Sequence, residues 1–261
     1  MTDSLSAALA TLRRRFGPQA LQRGEQAEPA AAWPTGVPVI DSVLSPGGLP
    51  LGRVSVLAAA GAGPSGRLTL LQSLTAAASR SCDTGYVDLL DTVDPGFLAD
   101  LGADLDACLV LSPGRGQWER GLVMARALVV AGTPWIGIAL GGDQPPSQRW
   151  EHALTALVEA AGKRRTVCLV SAPAPLAAPL AYASSLTLSC AAAGWQLAHG
   201  DVAGLRVRLT TVKSKVGAPG AAASLLLRYP RPYAAAEVTG LPTVVAPHAA
   251  ATQPLPQAVG Q

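Results

Sequence analysis

The sequence is poor in the residues from which metal sites and thiol or histidine chemistry are built. It has four cysteines and three histidines in 261 residues, and no cysteine pair has the short Cys-x-x-Cys spacing that zinc sites and redox motifs use. Three of the cysteines lie in or beside apolar runs, which is typical of buried free thiols. We therefore predict no metal site and no catalytic Cys/His constellation from these residues: Cys82, Cys108, Cys168, Cys190, His152, His199 and His248.

Long hydrophobic runs are also missing. No uncharged apolar stretch reaches the roughly 18 residues that would span a bilayer, and the basic cluster near the N-terminus follows the apolar residues, which is opposite to a secretory signal. Hydrophobic residues still make up 49% of the chain, enough for the core of one α/β domain. We expect a cytoplasmic protein without membrane contact.

Charge is sparse and unevenly distributed. Charged residues are 14% of the chain and the formal net charge is +3. Residues 53–110 contain seven aspartates against three arginines, whereas residues 163–233 contain nine basic residues against one acid. This asymmetry indicates a nucleic-acid face or a head-to-tail contact between complementary surfaces; the alternative is the solvated rim of an ordinary domain.

Aromatic residues are few, at 4%, so the position of each tryptophan is informative. Trp135 and Trp195 lie in strand-like runs, and we expect them in the core. Trp118 and Trp150 begin helix-like stretches and are expected to form exposed contacts.

What the sequence does have is a regular alternation of short apolar runs with helical stretches. From residue 53 to 172 this pattern predicts a parallel sheet with helices on both faces, and the strand-like runs that follow, without an intervening helix, predict an antiparallel extension. Residues 4–16 have helical spacing. We predict an N-terminal helix and linker over 1–32, a core domain over 33–240 and a disordered tail over 241–261.

The stretch from Gly61 to Gln72, "GAGPSGRLTLLQ", is similar to a phosphate-binding loop in its glycines alone. Such a loop reads Gly, four residues, Gly, Lys and then Ser or Thr, because backbone N–H groups, the lysine and a magnesium-binding hydroxyl act together. Here Arg67 stands at the lysine position and Leu68 at the hydroxyl position, and Pro64 removes one backbone donor. The candidate nucleotide-contacting residues are Gly61, Ser65, Gly66, Arg67 and Thr69.

The sequence segments around this loop resemble those of the bacterial RecA recombinases. "PTGVPVIDSVLSPGGLPLGRVSVL", "GPSGRLTLLQ", "GYVDLLDTVDPGFLADLGADLDACLVLSP" and "LRVRLTTVKSKVGAP" are similar to successive RecA segments in the same order, over roughly residues 4–233. The resemblance implies an α/β, RecA-like P-loop NTPase core, with a mostly parallel sheet, helices on both faces and an antiparallel C-terminal extension.

Departures from the RecA pattern fall on the positions that hydrolyse ATP. Leu90 stands where the water-polarising glutamate is expected, and Asp91 beside it faces the other way unless the strand has already ended. Ala139 and Leu140 stand where an acid orders the magnesium shell, and Asp143 lies beyond two glycines. We predict no catalytic residues, no metal and no ATP hydrolysis. We expect no cofactor, with residual ATP or ADP binding as the alternative.

The two DNA-contacting loops implied by the resemblance are shortened. The first is reduced to about "GGDQPPSQ" and the second to "SAPAPLAAPLAY", which we predict to be a loop. Only Arg149 and Trp150 supply a cation or a stacking group there, so DNA contact is expected to be weak or indirect.

The elements that RecA uses between subunits are retained. Lys213 and Lys215 resemble the lysine pair that reaches toward a neighbour's ATP, and Arg13, Arg14, Arg15 and Phe16 resemble the helix end that docks on the neighbouring protomer. These features are similar to the ImuA group, RecA-like accessory factors of mutagenic translesion synthesis. The partners implied are RecA or its filament, ImuB and an error-prone DnaE-type polymerase, with possible self-association. The alternatives are a divergent ATP-dependent recombinase and a DNA-binding module built on the basic C-terminal half.

Overall fold

The structure is a computed structural model that describes residues 2–16, 31–45, 47–142, 148–228 and 237–241. Within these ranges the helices are α1 (Thr2–Phe16), α2 (Pro38–Asp41), α3 (Arg67–Ser79), α4 (Pro95–Asp100), α5 (Trp118–Ala131), α6 (Gln148–Arg164) and α7 (Ala174–Ala183). The strands are β1 (Ala32–Trp33), β2 (Leu49–Pro50), β3 (Val54–Ala59), β4 (Thr84–Asp88), β5 (Cys108–Leu111), β6 (Trp135–Ala139), β7 (Val167–Ala172), β8 (Leu186–Ala198), β9 (Asp201–Ser214), β10 (Ala222–Arg228) and β11 (Glu237–Leu241).

Nine of these strands form one sheet in the order β11-β10-β9-β8-β3-β7-β6-β4-β5. The six strands from β8 to β5 are parallel to one another, and β9, β10 and β11 continue the sheet from β8 in antiparallel pairs. The predicted fold class is therefore confirmed: a mostly parallel sheet with an antiparallel C-terminal extension. β1 and β2 form a separate two-stranded ribbon.

The central strands are buried along their whole length because helices cover both faces of the sheet. Every residue of β3, β6 and β7 is buried, as expected for apolar runs in a parallel sheet. One core cluster joins α2 and α3 to one face, and a second joins α5, α6 and α7 to the other. The carboxyl ends of β3, β4, β6 and β7 meet at one edge, where open α/β sheets bind ligands.

The prediction of a loop over "SAPAPLAAPLAY" is wrong, because α7 occupies most of it. Proline is compatible with the first helical turn, where an N–H has no intrahelical acceptor, and Pro175 lies there. Pro179 lies inside the helix, where proline is disfavoured, but Leu176 and Leu180 are buried against the core. Tertiary burial thus outweighs a local propensity that argued for a loop.

Two of the tryptophan predictions are also wrong. Trp135 is fully buried as expected, but Trp195 is 53% exposed and Trp150 is only 2% exposed. Trp150 packs edge-on against the half-buried Trp118, with ring centroids 5.7 Å apart. The helix-starting position of Trp150 gave no sign that its ring turns toward the sheet.

All four cysteines are free thiols, and they differ in burial. Cys168 and Cys190 are buried, whereas Cys82 and Cys108 are half-buried. Burial raises the pKa of the Cys168 and Cys190 thiols to about 12. Both are therefore held as neutral, unreactive core groups.

The ends of the chain are described only in part. Of the predicted N-terminal linker, residues 17–30 lie outside the described residues, and so does the chain beyond Leu241, where the disordered tail was predicted. The domain boundaries at 32 and 240 therefore stay predictions. None of the helices within the described ranges has the length and apolar character needed to cross a membrane.

Candidate functional site

A cleft of about 540 Å³ opens at the carboxyl end of β3, between the loop that leads into α3 and the start of α7. The five residues predicted as nucleotide contacts, Gly61, Ser65, Gly66, Arg67 and Thr69, all line it. Pro173 and Pro175 form one wall, and Trp195 and Leu205 form another. The structure thus brings the predicted loop residues together around one cavity and adds apolar walls to it.

Gly66 is the residue that the loop geometry requires. Its φ is +68°, a left-handed conformation that disfavours side chains. A Cβ there would lie 2.5 Å from Leu227 Cδ1 and 2.9 Å from Val207 Cγ2. Gly61 differs, because its φ is not positive and a Cβ would meet no atom within 4 Å. The conformation of the strand-to-helix turn therefore requires glycine at residue 66 and not at residue 61.

The loop still presents backbone donors to the cleft. Among the described residues, the N–H groups of Gly61, Ala62, Gly63, Ser65 and Gly66 donate to no backbone acceptor. They precede the N-terminus of α3, where backbone N–H groups favour an anion. What remains of the phosphate loop is thus its backbone cradle.

The guanidinium group of Arg67 is hydrogen-bonded outside the backbone of this loop. Its Nη1 donates to Ser171 Oγ at 2.6 Å and to the carbonyl oxygen of Leu140 at 3.3 Å. The guanidinium therefore lies across the ends of β6 and β7. Desolvation by burial lowers the pKa of Arg67. A lysine in a phosphate loop neutralises the ligand, whereas this cation is engaged by two neutral oxygens of its own chain.

Leu90 fills the position where the glutamate is expected. A Cβ built on Gly141, at the end of β6, would lie 1.8 Å from Leu90 Cδ2, so the leucine side chain lies directly over that glycine. Arg115 donates from Nε and Nη2 to the carbonyl oxygen of Leu90, at 3.3 and 3.1 Å, which fixes the backbone from outside. The position holds an apolar group that cannot accept a proton.

Asp88, two residues earlier, is a carboxylate with a structural role. It is 1% exposed, and it accepts hydrogen bonds from the N–H groups of Leu90 at 2.9 Å, Thr92 at 2.7 Å and Val93 at 2.7 Å. These bonds shape the turn after β4. Asp91 lies in this turn beyond the end of the strand, with φ +54°; it is exposed and is not among the residues that line the cleft.

In the part of the chain that the structure describes, the side chains at the expected positions do not fit a hydrated magnesium ion, which prefers oxygen ligands. Leu68 stands at the hydroxyl position of the loop, and Ala139 and Leu140 are fully buried apolar side chains at the end of β6. Asp143 lies outside the described residues, and Thr69 lines the cleft one residue beyond the hydroxyl position. No step of phosphoryl transfer can be built through a metal on these side chains.

Lys213 and Lys215 lie away from the cleft, at the C-terminal end of α7. Lys213 Nζ donates to the carbonyl oxygens of Ala181 and Ser184, the latter at 2.9 Å, and Lys215 Nζ donates to that of Tyr182 at 3.4 Å. Cations are favoured at a helix C-terminus, where carbonyl groups lack helical partners. Both ammonium groups therefore contact their own chain, and their predicted role at an interface stays a prediction.

The N-terminal helix presents its basic cluster to solvent. Arg13, Arg14 and Arg15 are exposed in the last turn of α1. The side chain of Phe16 lies outside the described residues. The predicted docking role of this helix end is not tested by the fold of one chain.

Two residues of the site escaped the sequence analysis. Ser171 is a small polar residue in an otherwise apolar strand, which was the available signal, but its contact with Arg67 spans 104 residues of sequence. Trp195 was assigned to the core because the strand it lies on is apolar. It instead lines the cleft and is 53% exposed.

Comparison with known proteins identifies the family. Residues 3–138 match the RecA N-terminal domain. The chain belongs to the RecA N-terminal domain family. It is 36% identical over 133 residues to RecA of Clavibacter michiganensis subsp. michiganensis, covering 50% of this chain and 36% of that protein. RecA of Haemophilus ducreyi is 36% identical over 132 residues, 34% of its length, so the chain spans about a third of these relatives.

A longer match extends the relationship beyond the N-terminal half. RecA of Lactobacillus acidophilus is 26% identical over 260 residues, covering 87% of this chain and 70% of that protein. Among solved structures, the RadB recombinase is similar with a TM-score of 0.58 and 15% sequence identity, covering 74% of this chain and 94% of that one. At this identity the structural match supports the RecA-like fold.

Proposed function

We propose that this protein is a RecA-like accessory factor of the ImuA type, which acts in the DNA damage response and mutagenic translesion synthesis by protein–protein contacts and without ATP hydrolysis. The observation that carries the proposal is Leu90, whose side chain covers Gly141 at the position of the water-polarising glutamate. A leucine neither accepts a proton nor orients water. The partners proposed are RecA or its filament, ImuB and an error-prone DnaE-type polymerase.

Two further features of the cleft support the loss of hydrolysis. Phosphoryl transfer depends on positioning and on neutralising the developing charge. Arg67 donates to Ser171 and Leu140, and the buried side chains at the end of β6 are alanine and leucine. Charge neutralisation, metal binding and water activation are therefore weakened at three separate points of one mechanism.

A phosphate-release assay on the full chain with Mg-ATP, with and without single-stranded DNA, tests this proposal. We expect the wild type to release no more phosphate than the Arg67→Ala variant, with Arg126→Ala, an exposed arginine on α5, as the matched control. Turnover that Arg67→Ala abolishes and Arg126→Ala leaves intact would contradict it.

The contact role has its own test. Charge reversal of Arg13, Arg14 and Arg15 should reduce co-purification with RecA or ImuB and lower damage-induced mutagenesis. Reversal of exposed Lys163 should leave both unchanged. A second pair of variants reverses the charge at Lys213 and Lys215 and is used only if its thermal unfolding is normal. If neither these variants nor the reversal at α1 reduces binding or mutagenesis, the proposal is contradicted.

A DNA-binding module is the second candidate, because the antiparallel extension carries exposed arginines on one face. Arg206 and Arg208 alternate along β9, and Arg228 lies on β10. Their cross-strand neighbours on β10, Ser224 and Leu226, are uncharged. Phosphate contacts by three cations predict a log–log salt slope of about −2 for single strands.

The DNA reading is tested by charge removal. Replacing Arg206, Arg208 and Arg228 by glutamine should abolish salt-dependent binding of single-stranded DNA. The matched variant replaces three other exposed arginines, Arg53, Arg120 and Arg126, and should keep it. Binding that is absent, or insensitive to salt, removes this candidate.

The recombinase alternative requires Arg67 and Thr69 to hold Mg-ATP and Asp91 to replace Leu90. Since β4 ends at Asp88, Asp91 is no longer held to the opposite face of a strand, which is the observation in its favour. Asp91→Asn in the same phosphate-release assay decides this reading. Turnover that is lost in this variant would support it.

A further inference from the structure

A second cavity, of about 440 Å³, lies where α6 meets the end of α7 and the end of β9. Ser214, the last residue of β9, pairs with Leu186, the first residue of β8, so this lysine cavity lies at the edge where the parallel strands begin, away from the cleft. Its lining includes Val158, Glu159, Tyr182, Ala183, Lys213 and Lys215. Apolar groups and two cations against one acid suit an apolar side chain that has negative charge beside it.

The two lysines keep hydrogen-bond donors for an occupant of this cavity. Lys213 Nζ donates to the carbonyl oxygens of Ala181 and Ser184. Lys215 Nζ donates to the carbonyl oxygen of Tyr182. An ammonium group has three N–H donors, so one remains at Lys213 and two remain at Lys215. Each cation can therefore pair with a carboxylate while its own chain holds it in position.

A turn at residues 104–107 carries the complementary groups. Ala107 N donates to the carbonyl oxygen of Asp104 at 3.2 Å, and Asp106 N donates to Asp104 Oδ1 at 3.1 Å. Leu105 is 45% exposed, and the aspartates on either side of it are exposed as well. Among the exposed large apolar side chains in the described ranges, Leu105 alone has an acid on both sides. This acidic turn therefore presents an apolar group between two carboxylates.

The acidic turn and the lysine cavity lie on different flanks of the molecule. The turn leads into β5, the last strand on its side of the sheet, whereas the cavity lies at the end of β9. Six strand spacings separate β5 from β9, which at about 4.8 Å each amount to about 29 Å. Contact between the two surfaces therefore requires two molecules.

We propose that the lysine cavity of one molecule takes the acidic turn of a second copy, so that Leu105 enters the cavity and the flanking aspartates face its lysines. Each molecule then keeps one free turn and one free cavity, so the contact is heterologous and extends into open chains. The uneven charge of the sequence, acidic over residues 53–110 and basic over 163–233, favours this head-to-tail arrangement. The proposal goes beyond the contacts with RecA, ImuB or polymerase.

Sedimentation velocity of the full chain gives the first test. A single turn buries little area and exposed ion pairs are weak, so concentrations up to about 500 µM are needed to detect a Kd near 100 µM. At an ionic strength of about 10 mM, where the Debye length is about 30 Å, the mean sedimentation coefficient should rise with concentration, and at about 1 M it should not.

The apolar part of the contact is tested at the tip of the turn. Leu105→Ser should weaken association about fivefold or more, because it removes the side chain that enters the cavity. Leu109→Ser, at a 52% exposed position on β5, should leave association unchanged. Glu159→Gln should strengthen association, because it removes the one acid that lines the cavity.

Two blocked variants test the head-to-tail pairing. Lys215→Glu blocks the cavity, and the double variant Asp104→Lys with Asp106→Lys blocks the turn, so neither should associate with itself. Mixed together they should associate, because the intact turn of the first meets the intact cavity of the second. Lys163→Glu, at an exposed position on α6 outside the cavity lining, should associate like the wild type.

Several outcomes would overturn the proposal. They are a chain that stays monomeric at low salt, association that both blocked variants retain, and folded blocked variants that fail to associate when mixed. Association that Leu109→Ser or Lys163→Glu abolishes would also overturn it. If thermal unfolding shows that a blocked variant has lost its fold, Leu105→Ser against Leu109→Ser decides. Failure here leaves the accessory role standing, since that role is read from reversal of Arg13, Arg14 and Arg15.

Discussion

The loop after β3 and the turn after β4 lie at the same edge of the sheet, with β7 and β6 between them, and they resemble the RecA pattern in different ways. At the first, backbone geometry survives: Gly66 keeps a left-handed conformation and close contact with β9 and β10. At the second, the position of a catalytic carboxylate holds Leu90, packed over Gly141. Packing constrains the first region, whereas the second carries an apolar side chain where a carboxylate is expected.

The difference follows from what each residue contacts. Gly66 is surrounded by side chains from two other strands, so any larger residue displaces part of the core. Leu90, at the position where a glutamate is expected, is partly buried and packs against the core cluster. Retained motif residues are thus evidence of function only where packing does not already require them.

Gly66→Ala should have the largest effect. The left-handed backbone costs about 1–2 kcal/mol, and the overlap of the new Cβ with Leu227 and Val207 adds about 1–3 kcal/mol. Urea unfolding should therefore show a stability loss of about 2–5 kcal/mol.

Gly61→Ala is the matched control for this prediction. Its φ is not positive and the space around it is open, so its effect should stay within about 1 kcal/mol in either direction. Equal effects of the two substitutions would show that the loop is not held by packing at Gly66.

Asp88→Ala should have the next largest effect. It leaves three backbone N–H groups without their buried carboxylate acceptor, which should cost about 2–3 kcal/mol. Thermal unfolding measures this, with the exposed Asp100→Ala as control. If the two variants melt alike, Asp88 does not hold the turn that carries Leu90.

Arg67→Ala and Ser171→Ala test whether the cation of the loop now serves the fold. We expect each to destabilise the protein, with a coupling energy of about 1 kcal/mol in a double-mutant cycle. Arg67→Ala with Ser189→Ala, on β8, should be additive. Additivity in the Arg67 and Ser171 pair would mean that the 2.6 Å contact contributes nothing to stability.

The parts of the fold that the sequence predicts well are those set by local pattern. Strands β3, β6 and β7 are continuous apolar runs between helical stretches, and such runs leave few arrangements other than a covered parallel sheet. Helix α7 was missed because Pro175 and Pro179 argue against a helix locally. The burial of Leu176 and Leu180 depends on packing against β3, which lies far earlier in the chain.

The sequence predicts which residues form the candidate site but not which contacts they make. Position and residue type were enough to single out Arg67, Leu68 and Leu90, because each is compared with a motif of fixed spacing. Their contacts were not predictable, since Arg67 meets Ser171 and Leu90 meets Gly141 only after strands distant in sequence become neighbours. Trp195 shows the same limit: its strand is apolar, but β3 pairs with that strand only as far as Cys190, so the ring is left exposed.

The smallest expected effect concerns Lys213 and Lys215. It tests whether these retained surface residues, like Gly66, are explained by contacts within the fold. Lys213 donates to two carbonyl groups at the end of α7 and Lys215 to one. Lys213→Met should therefore cost about 0.5–1 kcal/mol and Lys215→Met less. Hydrogen exchange in the last turn of α7 should rise in the first variant and change little in the second. If the amides of this turn exchange equally slowly in both variants and in the wild type, the two lysines have no structural role. Their presence would then support contact with a partner.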